Sequence, residues 1–178
     1  MKRYQRILFV CDSGTCRSPM AEAILKEYRL NRPMEIESRG LVVLFPEPLN
    51  QKVEAVLISN GINLGDHMSA QLTEEDFTED TLIIVMEEVQ REKILDSFSR
   101  ADPGQVQVLT QIVGDELEIL NPYGGPLQSY GLCYETLNKS IKKLAERLNE
   151  DGMEEDMIEE DIPEQDVAET DKEYNEGE

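Results

Sequence analysis

Apolar residues in this chain gather in short runs, and most runs are followed by a segment with helical spacing. The run ILFVC, residues 7–11, reads as a buried parallel strand. A glycine-containing turn follows. Pro19 opens a helix, since proline is tolerated in a first turn, and Met20, Ala23, Ile24 and Tyr28 carry it to about Leu30. MEIESRG is a second strand. LNQKVEAVLISNGI is a helix with Val53, Val56 and Leu57 on one side and Gly61 as its stop. Thr73 to Glu75, ahead of Asp76, marks a short helix start. TLIIVM, residues 81–86, is a strongly apolar strand, followed by a helix over Glu87–Ser97. QVQVL is a fourth, short strand. After NPYGGPL a long helix runs over Ser129–Leu148, with Cys133, Leu137, Ile141, Leu144 and Leu148 in one apolar stripe.

Strands alternating with helices predict an α/β fold: a parallel sheet with helices on both faces. Ligands bind such sheets at the carboxyl ends of the strands, and Cys11 lies at one of them. The 178 residues fit one domain, taken as residues 1–149, with an appendage over residues 150–178. That appendage holds fifteen Asp or Glu and one Lys, a net of −14 out of −21, which leaves −7 for the rest. So acidic and apolar-poor a segment reads as a disordered tail. Its Tyr174, flanked by acids, gives it a second reading, as a phosphorylated segment competing near the anion-binding loop.

Charge and cysteine usage exclude several classes. A nucleic-acid partner needs clustered Lys and Arg, and this chain is acidic. No run of eighteen apolar residues is present, so no transmembrane helix or membrane partner is expected. MKRYQRILFVC is basic and then apolar, but Ile7–Val10 is too short for a signal peptide. Three cysteines, an odd number, point to a reducing cytoplasm rather than a disulfide framework. Oligomeric state leaves no trace in the sequence.

The turn after the first strand carries the chemistry. It reads Cys11-Asp12-Ser13-Gly14-Thr15-Cys16-Arg17-Ser18-Pro19 and joins a strand to a helix N-terminus. Backbone N–H groups and the helix dipole favour an anion there. Ser13 and Gly14 are small enough for the backbone to curl into a nest around a tetrahedral anion, and Arg17 offers a planar fork for phosphate oxygens. The same field favours the thiolate of Cys11, a nucleophile aimed at a bound phosphoryl group. Cys16, five residues on, is either a small loop filler or the partner of an oxidised Cys11 in a protective disulfide.

FVCDSGTCRSPMAEAIL resembles the motif V-C-x-G-N-x-C-R-S-P-M-A-E of the low-molecular-weight protein tyrosine phosphatases. The resemblance continues in ESRG, GINLGDHMSAQLTEEDF, LIIVME and NPYGG, in family order, over residues 6 to about 148. It implies a single-domain, Rossmann-like sandwich with a four-stranded parallel sheet, and a two-step hydrolysis of a phosphorylated protein. Cys11 would form a cysteinyl-phosphate, Arg17 and the amides of residues 12–16 would hold the phosphoryl oxygens, and Ser18 would stabilise the Cys11 thiolate as leaving group. No metal or other cofactor is implied.

Three departures from the family pattern stand out. The family's general acid is the Asp of a late Asp-Pro-Tyr or Asp-Pro-Phe, whereas this chain has Asn121-Pro122-Tyr123. An amide gives up no proton, and loss of a general acid costs about 10²–10⁴-fold in rate. Asp115, Glu116 and Glu118 are near in sequence but precede the loop. The family's loop Asn is here Gly14, so Ser38 and His67, which match loop-supporting positions, lack their usual link, and His67 reads equally as a surface residue. The family's mouth Trp is absent, and Phe45 is the nearest aromatic, either lining the mouth with Tyr123 or sitting in the core. Thr15 resembles the phosphoarginine-directed branch of the family, while Tyr123 is closer to the tyrosine-directed form. Two further readings remain: an impaired, phosphatase-like module that binds a phospho-protein, and an arsenate reductase, which the lack of cysteines between Cys16 and Cys133 disfavours.

Overall fold

The computed structural model describes residues 2–159, with side chains described to Asp151. Of the expected tail, residues 150–159 are helical, which corrects the disordered reading there, and residues 160–178, with Tyr174, lie outside the described residues. Four strands form one parallel sheet in the order β2-β1-β3-β4: β1 (Arg6–Cys11), β2 (Glu35–Gly40), β3 (Thr81–Val85) and β4 (Val106–Val108). The helices between and after them are α1 (Arg17–Glu27), α2 (Gln51–Ser59), α3 (Glu88–Ser97), α4 (Leu109–Val113) and α5 (Leu127–Glu159). β1 pairs Cys11 with Gly40 of β2 on one side and Val10 with Val85 of β3 on the other. The chain leaves β1 for β2 in one direction and later returns to β3 on the opposite side. Cys11 therefore sits at the point where strand order reverses, which is where open α/β sheets bind ligands.

Alternation along β1 divides the core. Ile7, Phe9 and Cys11 join a cluster with Met20, Leu57, Leu137, Ile141 and Leu144 from the helices of one face. Leu8 and Val10 join Ile83, Val85, Ile94 and Val108 on the other. Successive side chains of a strand point to opposite faces, so a strand apolar at every position must be covered twice. α1 is buried from Arg17 to Leu25, because the sheet lies beneath it and α5 packs across it.

Local chemistry sets the helix ends. Asn50 accepts hydrogen bonds from Lys52 N (2.9 Å) and Val53 N (3.4 Å) and caps α2. At its far end Gly61 has φ +76°, and Ile62 N donates to Leu57 O while Gly61 N donates to Ile58 O, both at 2.9 Å. That pair of bonds is a Schellman stop, and Leu57 and Ile62 are both buried beside it. Most element ends differ from the sequence reading by one to three residues, and two differences bear on the site or the tail. α1 starts at Arg17 rather than Pro19, which places Pro19 third in the helix, still within the turn whose N–H groups have no helical partner. α5 continues past Leu148 to Glu159, through a Glu- and Met-containing stretch of good helix formers.

Leu137 is fully buried between α5 and the sheet. Leu137→Ala is expected to lower unfolding free energy by about 2–5 kcal/mol, read as a lower urea midpoint with unchanged slope.

Candidate active site

The loop from Cys11 to Arg17 takes its shape from outside. Cys11 O accepts from Leu41 N (2.9 Å), Asp12 O from Val42 N (3.0 Å) and Thr15 O from Asn50 N (3.1 Å). The Gly14 carbonyl accepts from His67 Nε2 at 2.9 Å, and since a carbonyl only accepts, Nε2 carries the hydrogen. Within a trans peptide the C=O of one residue and the N–H of the next point in opposite directions. Pulling these carbonyls outward therefore turns the amides of residues 12, 13, 15 and 16 inward. The N-terminus of α1 adds its dipole to the same point.

The concavity so formed is a cavity of about 440 Å³ with Cys11, Asp12, Ser13, Thr15, Cys16 and Arg17 at its base. Glu47, Asn121 and Tyr123 are among the residues of its upper wall. Gly14 is turned away from it, with φ +72°, and a Cβ there would lie 3.0 Å from Gly40 N. Gly40 is tighter still, because its Cβ would meet the Ser13 carbonyl carbon at 2.6 Å. Sequence reading placed Gly40 only in a strand; the close backbone crossing that requires it is a tertiary feature.

Cys11 is 2% exposed, and its Sγ lies 3.1 Å from Ser18 Oγ. The Ser18 hydroxyl also reaches the Arg39 carbonyl at 3.1 Å. One hydroxyl proton serves only one acceptor. With a thiol at Cys11, the S–H donates to Ser18, which donates to Arg39 O. With a thiolate, Ser18 turns its proton to sulfur. Cys16 and Cys133 offer no competing nucleophile: burial raises the Cys16 thiol and pushes Cys133 up to about 12.

Arg17 is buried, and Nη1 donates to Glu87 (2.9 Å) and to the Ile119 carbonyl (2.7 Å). Nη2 donates to Asp12 Oδ2 at 3.3 Å. Both Nη1 hydrogens are thus used to fix the side chain, leaving the Nε–Nη2 edge for a phosphoryl oxygen. None of the three anchors was identified as such from sequence, because they come from α3, from the segment before Asn121 and from the loop itself. Among the described residues no group of three His, Cys, Asp or Glu side chains is arranged to hold a metal ion.

The remaining residues singled out in the sequence are placed as follows. Asn121 lines the cavity, and its Oδ1 accepts from Tyr123 N at 3.1 Å, which leaves its N–H₂ as the outward donor. Lys52 ties that loop to α2 through the Gly125 carbonyl at 2.6 Å. Ser38 does not reach the loop: its hydroxyl donates to Glu22 Oε2 at 2.6 Å and so braces α1. Phe45 is a correction. It is 64% exposed and lines neither the cavity nor the core. The bridge between Pro48 and Met68 fixes the segment so that Glu47, Pro48 and Leu49 face the cavity instead. Asp115 is held by Lys143 and Ser140 of α5, and Glu118 accepts from Glu88 N at 2.6 Å at the start of α3.

Comparison with known proteins decides the family. The family described as low molecular weight phosphotyrosine protein phosphatase matches residues 6–154. This chain belongs to that family. It is 34% identical over 141 residues to a low molecular weight protein-tyrosine-phosphatase, PtpB, of Staphylococcus aureus, covering 79% of this chain and 97% of that one. The structure of the YwlE arginine phosphatase from Geobacillus stearothermophilus is similar with a TM-score of 0.77 and 33% identity, over 84% of this chain and 96% of that one. A YwlE variant solved with a phosphorylated active-site serine is 30% identical, with a TM-score of 0.73, over 80% of this chain and 95% of that one.

Gly40→Ala forces the loop to move and is expected to cut turnover by roughly 10²-fold. Gly61→Ala, where a Cβ meets nothing within 4 Å, is expected to cost about 1–2 kcal/mol of stability and leave turnover intact. Lys143 and Ser140 hold the Asp115 carboxyl below its usual range. Its contribution to stability is then present above about pH 4 and lost as pH falls through its lowered value. Urea titrations should show wild type more stable than Asp115→Asn at neutral pH, with the gap closing in acid.

Proposed function

We propose that this protein is a metal-independent, cysteine-dependent phosphatase of phosphorylated protein side chains, working in the reducing cytoplasm. The observation that carries this is Cys11 at the floor of inward-facing amides, with Ser18 at 3.1 Å and Arg17 anchored alongside. The three free cysteines suit a reducing compartment, and no described helix is long and apolar enough to cross a membrane.

In the first step the Cys11 thiolate attacks phosphorus and the bond to the leaving atom breaks. The amides of residues 12, 13, 15 and 16 and the Nε–Nη2 edge of Arg17 hold the phosphoryl oxygens as charge develops on them. In the second step water attacks the cysteinyl-phosphate, and Ser18 turns its proton from the Arg39 carbonyl to the departing sulfur. His67 keeps the loop in place through the Gly14 carbonyl. Asn121 donates a hydrogen bond from its N–H₂ but no proton.

Both phosphotyrosine and phosphoarginine enzymes occur among the relatives. The cavity wall of this chain favours phosphoarginine. The hydroxyls of Ser13 and Thr15, 2.8 Å apart, and the carboxylate of Glu47 present acceptors to a guanidinium. Among the described residues that line the cavity, Tyr123, Leu49 and Pro48 supply the apolar surface for a phenyl ring. Phosphate release from phosphoarginine and phosphotyrosine peptides, compared in wild type and Cys11→Ser, tests this. Turnover is expected in wild type alone, with kcat/KM about tenfold or more higher for phosphoarginine. Asn121 favours one other reading, a phospho-ligand binder, which predicts no turnover of any phosphate ester, even one with an excellent leaving group.

A further inference from the structure

Asn121 leaves the reaction without its expected proton donor, and the neighbouring acids do not fill the gap. Asp115 and Glu118 are engaged with α5 and α3, and Glu116 faces a groove shared with Lys139 and Lys142. Two carboxylates do line the cavity, Asp12 and Glu47. Glu47 is exposed, and among the described residues no hydrogen bond holds its carboxylate. Asp12 is different. Its Oδ2 accepts from Arg17 Nη2 at 3.3 Å and its Oδ1 from Gln90 Nε2 at 3.2 Å.

Gln90 is fully buried, and its own orientation is fixed. Its Oε1 accepts from Met86 N at 2.9 Å and Glu87 N at 3.1 Å. With the amide oxygen so committed, the N–H₂ end must point at Asp12. A buried side chain thus aims one donor at a carboxylate that stands next in sequence to the nucleophile and is half exposed to the cavity. Both bonds to Asp12 are long, and one comes from the guanidinium that must also hold the phosphoryl group.

We propose that Asp12, inside the loop, is the acid that protonates the leaving group in place of Asn121. This deepens the phosphatase reading and rests on it. A phosphoryl dianion and a carboxylate beside the same guanidinium repel, so the phosphoryl group enters as its monoanion and hands its proton to Asp12 as Cys11 attacks. Cys11 sulfur forms the bond to phosphorus, and the bond to the leaving oxygen or nitrogen breaks with its electron pair. That atom takes the proton from Asp12, which becomes a carboxylate. In the second step the carboxylate takes a proton from the attacking water as the S–P bond breaks. Phosphate leaves with that proton as its monoanion, Asp12 is again a carboxylate, and Cys11 is again a thiolate. The groups facing Asp12 are Arg17 from α1, Gln90 and Glu87 from the start of α3, and Cys11 on the floor, with Glu47 across the mouth.

The test compares dinitrophenyl phosphate, whose leaving group needs no proton, with phenyl phosphate, whose leaving group does. Asp12→Asn is expected to slow phenyl phosphate about 10²-fold while leaving dinitrophenyl phosphate within about threefold of wild type. It is also expected to bind inorganic phosphate at least as tightly as wild type does. Asn121→Asp is expected to rescue the phenyl ester in the Asp12→Asn background. Equal losses on both esters, with weaker phosphate binding, would show a merely structural role and overturn the proposal. A leaving-group-dependent loss in Glu47→Gln instead of Asp12→Asn would overturn it as well. Silence of wild type on dinitrophenyl phosphate would overturn the parent reading, a result separable from all the others.

Discussion

The outward pull on four carbonyls, those of Cys11, Asp12, Gly14 and Thr15, is the constraint on which the site depends. Their donors come from separate parts of the chain: the residues after β2, the side chain of His67 and the first residues before α2. Each donor fixes one peptide plane, and each plane aims one N–H at a common centre. The amides are oriented before any anion arrives, so no reorganisation is needed as charge develops on the phosphoryl oxygens. Parallel pairing of β1 with β2 carries this through. The register that sets Cys11 opposite Gly40 also brings the loop against a residue with no side chain.

The local field, not the net charge, makes the site receptive to an anion. The chain is acidic overall, yet the loop joins backbone dipoles, a helix N-terminus and a buried guanidinium. A buried charge needs partners, and Arg17 finds Glu87, Asp12 and a carbonyl. Those anions stabilise Arg17 but stand close to where a phosphate must sit. Glu87 takes the Nη1 side, away from the edge left for the ligand. Asp12 takes the Nη2 side and shares that edge with the incoming group. The tension between Asp12 and a phosphate follows directly from this division of the guanidinium.

Much of the fold was legible in the chain because it rests on local periodicity. The runs at residues 7–11 and 82–86 are apolar at successive positions because both faces of the sheet are covered, and all lie in the core. The stripe from Cys133 to Leu148 is buried as its spacing required. α4 was not legible: five residues, Leu109–Val113, carry too little pattern to separate them from the end of a strand. In the site, Cys11, Asp12, Ser13, Thr15, Cys16 and Arg17 were readable as a contiguous turn. What was not readable came from elsewhere in the chain. Glu87 and Gln90 looked like ordinary residues at a helix start, and Ile119 acts through its backbone, which a sequence does not display. Phe45 was chosen for its ring, but a bridge between Pro48 and Met68 decides which neighbours face the cavity.

The central claim is that Cys11 carries the phosphoryl group between substrate and water. The most direct measurement is an acid quench of wild-type protein during turnover of dinitrophenyl phosphate, followed by peptide mass spectrometry. The account predicts a phosphoryl adduct on Cys11 that forms at the rate of dinitrophenol release and is absent in Cys11→Ser. Turnover with no adduct, or an adduct on another residue, would contradict it.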